Sequence, residues 1–161
     1  TPIGWITSHR MHHKHSDGPN DPHAAKHVGF WKVLLTTWDI KNIPMQYARD
    51  LYKNPRLVFC HKYWLHILIG VNIVSFLINP YFWVAFCAVP FIFAKIGFGL
   101  LNTVGHNTPG GANVPWLNLF IAGEGYHKNH HENFKRVRLH KFDTGGWLAE
   151  KLFYDKQRKN T

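Results

Sequence analysis

The chain has 161 residues, enough for one domain, and carries 19 Lys+Arg against 9 Asp+Glu, a formal net charge of +10. A basic balance points to nucleic acid or an anionic membrane surface, and 7 Trp and 6 Tyr favour the membrane, because these rings collect where headgroups meet hydrocarbon. Nucleic acid is therefore set aside as a partner, and Cys60 and Cys87 make neither a C-x-x-C pair nor a disulfide framework, which suits a reducing compartment.

Residues 5–15 read as a helix, and SDGPNDPHAAKHVG (16–29), with two Pro and two Gly, reads mainly as a loop. From Phe30 to Tyr52 the chain is amphipathic, with Trp31, Leu34, Leu35, Trp38, Ile40 and Ile43 among polar residues, as in helices lying at a membrane interface. Residues 63–101 hold one formally charged side chain, Lys95. A membrane crossing takes about 20 apolar residues. The run is two crossings long, and Asn79-Pro80 breaks it, so helices are expected at 63–78 and 81–106. Lys95 is expected to snorkel toward the membrane surface, the alternative being that it lines a cavity. A Gly/Pro/Asn-rich loop follows at 107–122, then a helix near 124–135 and a short amphipathic helix at 144–158 that ends in the basic KQRKN.

Lys53, Arg56 and Lys62 precede the hairpin, and Lys128, Lys135, Arg136, Arg138 and Lys141 follow it. The positive-inside rule puts both flanks in the cytoplasm. The fold expected is thus an all-α, multi-pass membrane protein: one domain over 1–161, with a cytoplasmic segment at 1–62, a transmembrane hairpin at 63–106 and a cytoplasmic segment at 107–161. No signal peptide is visible, and the chain opens inside a motif, so it is expected to be a piece of a longer protein.

Thirteen histidines stand out, and six form two triplets. His9, His12 and His13 in HRMHH share the spacing i, i+3, i+4 with His127, His130 and His131 in GYHKNHH. On a helix these offsets share one face, so each triplet is expected to aim its imidazoles at one place. Neutral imidazole suits zinc, copper, iron and nickel, and six such ligands exceed the four of one structural zinc. Two adjacent ions fit the count better than one. His106 is a seventh candidate, with Asn102 four residues before it to bind a metal directly or to hold a metal-bound water. His23, His27, His61, His66 and His140 read as ordinary surface or hydrogen-bonded residues, and His15 stands between the two classes. Asp17 and Glu124 are candidates to orient the ligands.

HRMHH, NTVGH and GEGYHKNHH resemble the histidine boxes of the membrane-bound fatty-acid desaturases, nearest the Δ9-type, stearoyl-desaturase-like branch. DPH (21–23), HVGF (27–30), ARDLYKNPRLVFCHKYW (48–64) and FDTGGW (142–147) are similar to further stretches of that branch. The resemblance implies two irons held by His9, His12, His13, His106, His127, His130 and His131, with Asn102 acting through a water. It implies O2 as co-substrate, a cis double bond introduced into a saturated acyl chain, and electrons from a separate small cytochrome or ferredoxin. The family's first box, H-x-x-x-x-H, is expected upstream of Thr1. Thr7 stands where acyl-CoA desaturases often carry Arg, so lipid-linked or carrier-linked acyl chains gain weight beside acyl-CoA. Two alternatives share these residues: a histidine-box hydroxylase or other C–H oxidase, and a non-catalytic metal-binding membrane protein.

Overall fold

A computed structural model of the chain describes residues 1–36 and 44–154. Among these residues the regular structure is helical, and the one β feature is an isolated antiparallel bridge between Asn113 and Tyr126. Helix α1 (Pro2–His15) starts earlier than the sequence suggests, because Thr1 caps it by accepting from the Gly4 N–H (3.1 Å) and Pro2 opens the first turn. It buries Ile3, Thr7, Ser8 and His12 along one side. Thr7 and Ser8 satisfy their hydroxyls locally by donating to the Ile3 and Trp5 carbonyls, 2.8 Å each.

Within the expected loop 16–29 a single turn forms, α2 (Ala25–Val28), and α3 (Phe30–Leu34) follows it. Of the amphipathic stretch 30–52, residues 37–43, which include Trp38, Ile40 and Ile43, lie outside the described part. Beyond them come two 3₁₀ turns, Met45–Tyr47 and Leu51–Lys53.

The first apolar arm has two pieces. α4 (Pro55–Lys62) is capped by Asn54, whose Oδ1 accepts from the N–H of Arg56 (3.0 Å) and Leu57 (3.4 Å). It meets α5 (Trp64–Ile78) at a 69° bend. Asn79 then ends α5 and caps the next helix, accepting from Tyr81 (2.8 Å) and Phe82 (3.2 Å), while Pro80 takes the first helical position. That next helix, α6 (Pro80–Val104), runs 25 residues at a mean hydropathy of 2.1. Among the described residues it is the one helix long and apolar enough by itself to cross a membrane; the bent α4–α5 pair passes only if taken as one span. Residues Val84–Ala88 are wound as a π turn just before Pro90. Pro90 supplies no N–H and its ring crowds the carbonyl four residues back, and the wider turn absorbs both. Trp83 Nε1 donates to Asn72 Oδ1 (2.8 Å) and ties the two arms together.

α6 changes character along its length. From Tyr81 to Ile96 its large apolar side chains are mostly exposed, whereas Gly97, Gly99, Leu101 and Thr103 are buried. The cause is close packing: a Cβ on Gly99 would strike the Leu34 carbonyl of α3, and one on Gly97 would strike Ile121. Ile121 belongs to α7 (Asn118–Ile121), a turn inside the expected loop 107–122. Among the described residues a small apolar cluster, Leu101/Leu117/Ile121, sits at the end of α6, and a second, Ile3/Ala48/Leu51, lies under α1. Helix α8 (His127–Glu132) and helix α9 (Thr144–Ala149), which continues in a π turn to Tyr154, complete the described part. The FDTGGW stretch has a structural job here. Buried Asp143 caps α9 by accepting from Gly146 (2.7 Å) and holds the preceding loop by accepting from Leu139 (2.7 Å).

Candidate metal centre

All seven histidines singled out by their spacing converge, from α1, from the turn just past α6 and from α8. They sort into two sets whose nitrogens lie within 4.8 Å of one another: His9, His13 and His130 in one, His12, His106, His127 and His131 in the other. The triplets therefore do not each serve one point, as the spacing suggested. Each divides two to one. A helix turns about 100° per residue, so i and i+4 lie about 40° apart while i+3 falls about 60° to the other side of i. α1 accordingly sends His9 and His13 to one set and His12 to the other. α8 does the reverse, sending His127 and His131 to the set of His12 and only His130 to the set of His9.

Every one of the seven presents Nε2. In the three-histidine set the Nε2 separations are 3.1 Å (His9–His13), 3.3 Å (His9–His130) and 2.8 Å (His13–His130). In the four-histidine set they are 3.4 Å (His12–His131), 3.1 Å (His127–His131) and 2.7 Å (His106–His127). A first-row ion about 2.1 Å from each imidazole nitrogen spaces its ligands about 3.0–3.4 Å apart. The donor set and its convergence fit an ion at each position, four of the six separations lying in that range and two, 2.7 and 2.8 Å, just below it.

Electrostatics keep these rings ready to bind. Burial, reinforced by the mutual repulsion of neighbouring imidazoles, pushes His9 down to about 3, His13 to about 4 and His131 to about 3. His106, His127 and His130 are lowered by burial and by the same neighbours. Neutral imidazole is the metal-binding form, so the lone pairs are available at physiological pH.

Two carboxylates reach the rings from behind. Asp21 Oδ2 stands 2.7 Å from His12 Nδ1, both side chains being fully buried, and Asp17 Oδ1 stands 3.0 Å from His106 Nδ1. Asp21 also accepts from the N–H of Asp17 (2.8 Å) and of His23 (3.1 Å). Burial alone would raise the Asp21 carboxyl, but the His12 hydrogen bond and charge and these two amides bring it down to about 2. Asp17 was legible as an orienting residue. Asp21 was not, although DPH was noticed as a motif. His23 was read as ordinary, yet it is buried and stacks on His12 at 4.2 Å between ring centroids. Asp21 and His23 come close enough to His12 to form a further cluster with it. The signal in the sequence was local: a Pro-rich loop returns the chain nine residues after His12.

The other candidates settle elsewhere. His15 faces the Tyr47 hydroxyl (3.3 Å), and His140 stacks on Tyr126. Asn102 and Glu124 line a cavity of about 770 Å³ with His9, His12, His127 and His130, and the cavity extends along α6 past Phe98 to Lys95. Glu124 makes no hydrogen bond to these rings among the described residues. Lys95 donates to the Thr36 carbonyl (3.4 Å), so the cavity-lining alternative describes it better than snorkelling.

The fold and site together define an all-α, histidine-rich chain with a candidate dinuclear metal centre at the end of a long apolar helix. Comparison with known proteins gives that class a more particular kinship. The chain is 30% identical over 148 residues to an sn-1 stearoyl-lipid 9-desaturase of Anabaena variabilis, covering 81% of this chain and 52% of that protein. It is 30% identical over 149 residues to Delta-9 desaturase-like 3 protein of Arabidopsis thaliana (81% and 48%). It is 34% identical over 155 residues to an acyl-CoA Delta(11) desaturase of Choristoneura rosaceana (80% and 45%). The chain is a relative of the Δ9-type desaturases over about four-fifths of its length, which bears out the resemblance carried by the histidine boxes. It spans about half the length of these relatives. No family model and no solved structure matches it.

Proposed function

We propose that this chain is the histidine-box portion of a membrane acyl desaturase, an oxidoreductase that holds two irons and inserts a cis double bond into a saturated acyl chain. The observation that carries this is the convergence of seven Nε2 atoms into two metal-sized sets beside a cavity running along α6. When bound, the irons supply the oxidising chemistry, drawing on O2 and two electrons; the protein supplies position and dryness. His9, His13 and His130 hold one ion, and His12, His106, His127 and His131 the other. Asn102, which lines the same cavity from α6, holds a water in this reading. Phe98, Leu101 and Trp5 give the cavity the apolar walls an alkyl chain needs.

In this reading α5, with α4 lying along the interface, and α6 cross the bilayer, and both flanks face the cytoplasm. The substrate is an acyl chain on a lipid, a carrier or CoA, and electrons come from a separate small cytochrome or ferredoxin. The names of the relatives, which act on acyl-lipid and acyl-CoA, support the acyl part.

The test uses the full-length protein in membranes, supplied with a reductant chain, O2 and saturated acyl substrates. Products lighter by two hydrogens are expected, and His130→Ala removes them. Products heavier by one oxygen would turn the reading to hydroxylation. Tight binding of two metal ions with no product from any acyl class would overturn it in favour of a non-catalytic metal protein.

A further inference from the structure

We infer that the loop 16–23 makes the two metal positions unequal, so that the four-histidine position fills first and holds its ion more tightly than the three-histidine position. The inference rests on the metal reading above and goes beyond it by assigning Asp17 and Asp21 as positioning residues for one ion only.

The argument begins with tautomers. An imidazole offers Nε2 as a lone-pair donor when Nδ1 carries the hydrogen. A carboxylate only accepts, so a carboxylate at Nδ1 fixes that tautomer, fixes the ring's orientation and strengthens Nε2 as a ligand. Both carboxylates of the site do this, and both do it in the same set: Asp21 behind His12 and Asp17 behind His106. Among the described residues no carboxylate meets a ring nitrogen of His9, His13 or His130. Their hydrogen-bond-range neighbours are one another.

The two aspartates are built in rather than adventitious. Asp21 is completely buried and its oxygens take three contacts, from His12, the Asp17 amide and the His23 amide. Asp17 adopts a left-handed backbone (φ 62°) that turns its side chain toward His106 and lets Oδ2 accept from the Gly110 N–H (3.2 Å). One short loop thereby locks a ring from α1 and a ring beyond α6 into a common geometry. It also sets two carboxylates against ring nitrogens of one set, whereas Glu124, beside the other, lines the cavity with His9 and His130 without, among the described residues, a hydrogen bond to either ring. Burial runs the same way: His12 and His127 are buried, while His9, His13 and His130 are all partly open.

The experiment titrates metal-free, full-length protein in detergent with Co2+, following the visible ligand-field bands. Two phases of one equivalent each are expected, with the first at least about tenfold tighter. His106→Ala removes the tight phase and His9→Ala the weak one. Asp21→Asn and Asp17→Asn each weaken the tight phase by roughly 10–100-fold and shift its bands, leaving the weak phase within about threefold. Asp50→Asn, which only releases Arg10 on the exposed side of α1, moves neither phase. A single phase of two equivalents in the unmodified protein overturns the inference, as does a tight phase indifferent to both aspartate variants. Absence of any cobalt binding overturns the metal reading itself, and this ordering with it.

Discussion

At the scale of single residues, the site's most consequential property is that burial pushes six of its histidines, His9, His13, His106, His127, His130 and His131, toward the neutral, metal-binding form. Their folded-state pKa values, about 3 for His9 and His131 and about 4 for His13, lie below the ordinary imidazole value of 6.5. Between those limits the unfolded chain binds protons that the metal-free folded chain refuses. Stability therefore rises with pH through this window, is full above about 6.5 and is lost progressively as pH falls toward 3. Thermal unfolding of the metal-stripped protein should show a melting temperature that is flat above pH 7 and declines steadily from pH 6.5 to 4. A melting temperature independent of pH over that span contradicts the burial on which the neutral rings depend. The seven imidazoles were legible in the sequence because helix geometry ties spacing to direction. Asp21 and His23 were not, because their approach to His12 depends on the path of a loop, and a loop's path is set by tertiary closure rather than by periodicity.

At the scale of elements, the close passage of α3 over α6 fixes where the centre sits. Gly99 lets the Leu34 carbonyl lie against the helix backbone, and Leu101 and Thr103 are buried on the same stretch. Asn102, one residue past Leu101, is set by that contact, and so is the cavity wall formed by Phe98 and Lys95. A methyl group at position 99 has no flexible neighbour to displace, only backbone. Gly99→Ala is expected to cost about 1–3 kcal/mol through overpacking. Gly70→Ala on α5, where a Cβ meets nothing within 4 Å, should hold or raise stability by about 0.5–1 kcal/mol through helix propensity. Paired thermal melts in detergent check both, and equal effects would show that the α3–α6 contact does not bear on the fold. The sequence predicted α5 and α6 within a few residues because apolar runs and Asn-Pro punctuation are local signals. It was blind to the α3 contact, since nothing in FWKVL names the glycine it covers. It was equally blind to the π turn, which follows from where Pro90 falls in an otherwise continuous helix.

At the scale of the whole molecule, the unequal lengths of the two apolar arms explain how a membrane enzyme of the proposed kind places its metals above the bilayer. At about 1.5 Å per residue α5 is about 22 Å long and α6 about 37 Å. Both start from the turn at Asn79-Pro80, so α6 outruns α5 by about 15 Å, or its last ten residues. The outer exposure of α6 gives way to burial at Gly97, within that overhang, and Lys95 marks the boundary. In the proposed reading one helix lies in hydrocarbon over its first part and carries the histidine-rich region over its last. The same reading sets Lys95 near the interface rather than at midplane, where a charge is tolerable. The basic residues flanking both arms are consistent with the cap facing the cytoplasm. This arrangement makes a definite topological prediction for the full-length protein in intact cells, with Cys60 and Cys87 replaced by Ser and Ala. Tyr81→Cys, at the 84%-exposed tip of the hairpin, should react with an impermeant maleimide added outside. Lys128→Cys, on α8 among the candidate metal-ligand histidines, should react only after the membrane is opened. Labelling of both from outside, or of Lys128→Cys alone, would place the histidine cap on the wrong side for a cytoplasmic electron donor and overturn the proposed topology.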